Sequence, residues 1–284
     1  MKRFHPRSRS FDLLSAYDWF IPGWIDFLWI GVTLLAGVIL ALFATLSLTK
    51  AGFAPLYIQL ISYPLMFIPT MLLASGLSRR NVFRGEPRPL DRNENWNTAS
   101  VLTSVAGMLA LAFLCDPVTL LLPPMPETLL NAMKMLGEGP LWASLLCTCV
   151  FAPFFEEWLC RGIVLRGLLG KMKAGWAIPI SALFFALIHA NLWQGIPAFL
   201  TGLFLGYVYW KTGSLKTTML MHCVNNLVSV LIMRVPGWEE AETFYELFPI
   251  KAWYWLAFAG AAVVFVLAVK FTGGKNIPRE TETA

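Results

Sequence analysis

The sequence predicts an all-α, polytopic transmembrane helix bundle of about eight spans, with both termini in the cytoplasm. Three observations predict it. Of 284 residues, 57% are hydrophobic and only 14% charged, where a soluble domain is about one-quarter charged; the mean hydropathy is +0.62. The apolar residues gather in runs long enough to cross roughly 30 Å of hydrocarbon, which takes about 20 helical residues. The loops between those runs alternate in charge, as successive membrane crossings require.

The elements follow in order. The first twenty residues, MKRFHPRSRSFDLLSAYDWF, are basic and amphipathic but have no signal-peptide apolar core or small-residue cleavage site. Residues 1–26 therefore read as a cytoplasmic segment before a retained first helix. Spans are expected at 27–48, 53–77, 98–116, 140–169, 176–190, 195–211, 216–235 and 252–271, with a cytoplasmic tail at 272–284. The fifth is short and reads as re-entrant or tilted. No repeat or domain boundary interrupts the bundle.

Loop charge supports this order. Ser78–Asn97 carries Arg79, Arg80, Arg84, Arg88 and Arg92, and Arg166–Lys173 and Lys211–Lys216 are also basic. Asp116–Gly139 and Pro236–Ile250 are acidic, the latter with Glu239, Glu240, Glu242 and Glu246; Lys50 is a mild exception. Lys and Arg collect on cytoplasmic loops. Within Asp116–Gly139, Leu129, Leu130, Met133 and Leu136 recur at helical spacing, which predicts a short interfacial helix.

The fourth span holds the unusual residues. FAPFFEEWLCRGIVLRGL puts Glu156, Glu157 and Arg161 into an apolar helix. Three unpaired charges at mid-membrane cost about 7–10 kcal/mol, while the Leu, Val and Phe residues from Leu141 to Phe155 return roughly 2–4. This face cannot meet lipid. Glu157 and Arg161, four residues apart, share a helix face and can pair. Glu156 lies about 100° round the helix and is turned away from that pair. Pro153, just before it, removes a helix hydrogen bond and predicts a kink.

Two of the three histidines also fall inside spans: His189 in FFALIHA and His222 in MLMHCVNNLVSV, with Asn226 one turn beyond His222. Intramembrane ionisable groups mark functional sites. Counting about 1.5 Å per residue from the basic loops puts all four polar residues at overlapping depths, so a single cavity open to the cytoplasm is expected to contain them. Gly202 and Gly206 permit close helix contact, and Thr212–Ser214 reads as a turn followed by a cap. The five cysteines lie in or beside apolar runs without CxxC spacing, so they read as small buried hydrophobes. The net charge of +5 belongs to the cytoplasmic loops, and no nucleic-acid partner is expected.

EExxxR (Glu156, Glu157, Arg161), FxxxH (Phe185, His189), the FxxGxxxG…TGS run (Phe199, Gly202, Gly206, Thr212, Gly213, Ser214) and HxxxN (His222, Asn226) occur on successive spans. In that order they resemble the type II CAAX prenyl endopeptidases and their bacterial relatives, the CPBP or Abi intramembrane proteases. The resemblance covers about residues 150–230 of a protease core at 140–235, and none is found in the first three spans. It implies that Glu156 and His189 activate the attacking water, that His222 and Asn226 stabilise the oxyanion, and that Glu157 and Arg161 support the site. It implies a peptide or protein substrate at the lipid bilayer. The chemistry is coherent: hydrolysis needs a base for water and donors aimed at the developing oxyanion.

Two other readings use the same residues: a non-catalytic membrane scaffold, and a proton-coupled transporter with Glu and His as a relay. A transporter predicts broken helices repeated in two halves, a pattern not seen here. Glu156, His189 and His222 formally offer a His2Glu zinc set, and the family is often labelled metalloprotease. Ligation by Glu156 would consume the base and there is no HExxH, so no metal and no other cofactor is expected.

Overall fold

The computed structural model describes residues 13–82, 87–93, 97–119, 121–236 and 243–272. The basic residues before position 12, the acidic trio Glu239, Glu240 and Glu242, and nearly all of the expected tail lie outside the described residues. Every regular element among those described is helical. A helix stands at each position where a span is expected: α1 (Trp24–Lys50), α2 (Pro55–Asn81), α3 (Thr98–Leu114), α5 (Leu141–Leu169), α6 (Ala174–Leu187), α7 (Leu192–Thr212), α8 (Leu215–Ile232) and α9 (Lys251–Phe271). The expected interfacial helix is present as α4 (Glu127–Glu138).

Six of these helices, α1, α2, α3 (continued to Val118), α5, α8 and α9, are long and apolar enough to cross a membrane. The expected fifth and sixth spans, α6 and α7, are outside that set. At 14 residues, α6 reaches only about 21 Å at 1.5 Å per residue. The chain turns back before the helix could exit the bundle. Ala190 takes a left-handed φ of 55° in this turn, and Asn191 both donates to the His189 carbonyl at 2.8 Å and caps α7 by accepting from Gln194 N.

Small residues and hydroxyls set the helix contacts, as expected where lipid supplies no hydrophobic drive between helices. On α1 a Cβ at Gly37 would meet the Met66 carbonyl of α2 at 1.9 Å, and Thr45 donates to Ser62 at 2.9 Å beside it. On α7 a Cβ at Gly202 would meet the Phe185 ring at 3.1 Å, and one at Gly206 would meet Ile178 at 3.1 Å. The GxxxG pair therefore lays α7 directly on α6. After α7, Gly213 adopts φ 63° and Ser214 caps α8 by accepting from Thr217 N. This is the turn and cap that Thr212–Ser214 predicts.

The loops identify two ends. At one end Arg166 donates to the Arg88 carbonyl at 2.6 Å, Arg92 N donates to the Gly213 carbonyl at 2.8 Å, and Lys216 pairs with Asp91 at 3.3 Å. The three basic loops are thus stitched together. A core of Leu14, Tyr17, Phe20, Leu90, Trp158, Ile163, Leu165 and Leu215 fills the bundle behind them. At the other end Arg234 donates to the Leu136 and Gly139 carbonyls. Asp116 there accepts from Phe244 N, Tyr245 N and the Tyr254 hydroxyl.

Candidate active site

The site grows out of irregularities in α5. The helix widens to π geometry at Leu146–Phe151, returns to α over Ala152–Glu157, and widens again at Trp158–Leu165. Such π turns recur at functional sites. Here the expected kink at Pro153 becomes a change of register. Ala152 N already reaches back five residues to the Cys147 carbonyl. The next bond in that register would run from residue 153 to the Thr148 carbonyl, and proline has no N–H to donate. Asn226 Nδ2 of α8 supplies the missing donor at 2.8 Å.

Downstream, the two glutamates diverge. Glu157 is fully buried, and its Oε1 accepts from Arg161 Nη1 at 2.8 Å and from His222 Nδ1 at 3.0 Å. Arg161 is equally buried; it also donates to the Gly202 carbonyl at 3.0 Å and lies 4.4 Å over the Phe185 ring. Glycine at 202 thus serves twice, in the close helix contact and as the arginine's second acceptor. Glu156 stands at a cavity wall instead. Tyr63 of α2 donates a short hydrogen bond to its Oε1, and its Oε2 has no hydrogen-bond partner.

His222 connects the two. Glu157, held by Arg161, can only accept, so Nδ1 carries the proton and Nε2 keeps the lone pair of the neutral ring. That Nε2 faces Glu156 Oε2 across 3.9 Å, longer than a direct hydrogen bond. His189 obeys the same logic: its Nδ1 is 2.8 Å from the Phe185 carbonyl, a pure acceptor, so its Nε2 is the basic nitrogen. Phe185 meets both imidazoles edge-on, at 5.1 Å from His189 and 5.7 Å from His222. One ring thereby positions Arg161 and both histidines.

Glu156, His189, His222 and Asn226 all line one cavity of about 880 Å³, near the upper end of ligand-pocket sizes, about 300–1,000 Å³. The expected extension of the cavity toward the basic end is not what its described walls show. The cavity walls run instead to the opposite end, to Asp116, Met133 and Gly137, to Trp193, and to Phe244 and Leu247. Among the described residues, none from the three basic loops lines it. Depth counted along single helices places the residues at a level but does not tell which residues wall the cavity. Leu14, Tyr17, Phe20 and Leu90, expected outside the bundle, pack at the basic end with Trp158.

Tyr63 and Thr148 escape sequence reasoning. A signal for Tyr63 exists, because tyrosine prefers membrane interfaces and this one stands mid-span before Pro64. Among the described residues no group of three or more His, Cys, Asp and Glu is placed to hold an ion.

The role of Asn226 toward Thr148 makes a distinguishing prediction. Asn226→Ala leaves a part-buried carbonyl without its partner, at a cost of up to about 1–3 kcal/mol, and lowers the melting temperature in detergent. Adding Pro153→Ala restores an N–H at position 153 and recovers the melting temperature.

Residues 138–228 match the family model described as type II CAAX prenyl endopeptidase Rce1-like. The matched stretch contains all six residues Glu156, Glu157, Arg161, His189, His222 and Asn226, so the match falls on the motifs that carry the sequence resemblance. It supports a CAAX-type intramembrane protease in general, in an integral multi-pass membrane protein. No curated protein and no solved structure matches the chain.

Proposed function

We propose that the chain is an intramembrane endopeptidase in which Glu156, helped by His189, activates water against a peptide carbonyl within the bundle. The carrying observation is the split between the glutamates: Glu157 lies behind the cavity wall with its Oε1 spent on Arg161 and His222, while Glu156 itself lines the cavity beside His222. Tyr63 holds one oxygen of Glu156 and so aims the other.

Proton traffic follows from the tautomers. Glu156 Oε2 takes the proton of the attacking water, and His189 Nε2 is the second base available on the cavity wall. Glu156 passes the water's proton to the departing amine nitrogen as the C–N bond breaks, and His222, when it also binds a solvent proton at Nε2, donates from there to the developing oxyanion while its Nδ1–H stays on Glu157. The carboxylate of Glu157 thus orients His222. Asn226 shares the oxyanion role with whatever Nδ2 hydrogen is not bound to Thr148. The Glu157–Arg161 pair supports the site from behind. The partners are a peptide or protein substrate and the lipid bilayer.

The scaffold and transporter readings remain testable against this one, as does the absence of a cofactor. Purified protein in detergent is expected to cleave a fluorogenic apolar peptide, and to keep full activity after dialysis against a strong chelator. Loss of activity on chelation, regained with stoichiometric zinc, would overturn the metal-free mechanism. No cleavage by well-folded protein would favour the scaffold.

A further inference from the structure

Helix α2 lies outside the family-matched stretch, yet it walls the cavity with Gln59, Tyr63, Met66 and Phe67. These residues recur at helical spacing and so share one face. The buried hydroxyls of the same helix are partnered. Ser62 accepts from Thr45 and Thr70 from Thr33, both on α1, and Ser78 accepts from Trp19 N. On the cavity face, Tyr63 donates to Glu156.

Gln59 departs from this pattern. Its Oε1 is buried and has no hydrogen-bond partner. Among the described residues that line the cavity, the other side-chain acceptor in that condition is Glu156 Oε2. The two unsatisfied acceptors of the wall therefore belong to the base and to a glutamine one helical turn from the tyrosine that holds the base. A glutamine that serves the packing of membrane helices bonds to a neighbouring helix. The oxygen of Gln59 makes no such bond, and leaving it without one is unfavourable.

The chemistry of a carboxamide indicates what completes it. A helical peptide hides its backbone groups in its own hydrogen bonds, so a segment open to attack has to be locally unwound. In a water-poor cavity each N–H and C=O freed in this way needs a partner on the wall. A carboxamide carries an acceptor and two donor hydrogens, the complement of a peptide group. Its last torsion is broad, so the amide can turn to the cavity without movement of α2. An apolar side chain or a lipid tail offers it nothing.

On the basis of the endopeptidase reading, we propose that Gln59 binds the backbone of the substrate: its carboxamide pairs with one peptide group about two residues from the bond that Glu156 attacks. The offset follows from α2, where positions 59 and 63 lie about 6 Å apart along the axis, the length of about two residues of extended chain. Gln59 takes no part in the proton transfers. It fixes the register in which the peptide meets the base.

Kinetics of the purified protein on an apolar reporter peptide provide the first test. Gln59→Leu, and Gln59→Met as a second variant of similar length, are expected to melt at or above the wild-type temperature, because an unpartnered acceptor is removed. KM is expected to rise about 2–12-fold, the effect of one neutral hydrogen bond, with kcat little changed, as for the loss of uniform binding. Peptides with single amides replaced by esters then locate the contact, since an ester has no N–H and is the weaker acceptor. At one position within about three residues of the cut, the ester should weaken the wild type by the same factor and leave Gln59→Leu unaffected, the coupling that a double-mutant cycle reads. Unchanged KM in the folded variants, or equal ester penalties at every position, would overturn the proposal. A lowered melting temperature in both variants would assign Gln59 to the fold and overturn it too.

Binding without cleavage separates the failure of this contact from that of the reading beneath it. The affinity of the labelled peptide is measured by fluorescence anisotropy for Glu156→Gln and for Gln59→Leu/Glu156→Gln. Kd is expected to be about 2–12-fold weaker in the double variant. Equal Kd, with the wild type still cutting, rules out the contact and leaves the endopeptidase reading in place. The Kd difference without any cleavage by the wild type sinks the endopeptidase reading and keeps Gln59 in a peptide-binding site. Neither binding nor cleavage overturns both.

Discussion

Glu156→Gln is expected to bring peptide cleavage to background, a loss of at least about 10²–10⁴-fold, the contribution of a positioned general base. The protein should still insert, purify and melt near the wild-type temperature. The substitution is nearly isosteric, and the glutamine Oε1 still accepts from the Tyr63 hydroxyl that now bonds the carboxylate. What disappears is the proton acceptor on the oxygen that has no other partner. Cleavage at the wild-type rate by a well-folded Glu156→Gln protein would remove the central residue of the mechanism.

Arg161→Ala should produce the largest loss of stability. The guanidinium pairs with Glu157, donates to the Gly202 carbonyl and covers the Phe185 ring. Removing it leaves Glu157 as an uncompensated charge in a fully buried position. Breaking a buried pair from one side costs about 3–5 kcal/mol, against a total of about 5–15 kcal/mol for a typical folded protein. Yield and detergent melting temperature should both fall, and activity with them, because Phe185 loses the guanidinium it packs on and Glu157, which orients His222, loses its anchor. Glu157→Gln is expected to behave similarly but more mildly, since its amide oxygen still accepts from Arg161. An Arg161→Ala protein with unchanged melting temperature would show that the pair is dispensable.

These two variants separate neighbours in the chain that differ only in where the helix turns them. That separation was legible in the sequence, from the four-residue spacing of Glu157 and Arg161 and the 100° step to Glu156. The π widening after Glu157 did not disturb it, because Arg161 still reaches back to Oε1 at 2.8 Å. The gathering of His189, His222 and Asn226 with Glu156 was legible too, as overlapping depths on three spans. The partners Tyr63 and Thr148 were not. Each contact joins residues far apart in the chain, and no local period encodes which face of α2 turns toward α5, or which carbonyl a proline leaves free in a register that only the packed helix adopts.

The sequence by itself determined the all-helical membrane class, the positions of the helices and which end carries the positive charge. These follow from properties that accumulate along the chain: apolar length against the ~30 Å hydrocarbon thickness, and the Lys and Arg content of short loops. Only the tertiary structure decided which residues wall the site. Leu14, Tyr17, Phe20 and Leu90 look like loop residues until they close over Trp158, and α4 looks like a surface helix until Met133 and Gly137 form part of the cavity wall. Which residues wall a polar cluster depends on which segments fill the volume around it. Filling is set by contacts between distant segments, to which hydropathy and spacing along one strand of chain are blind.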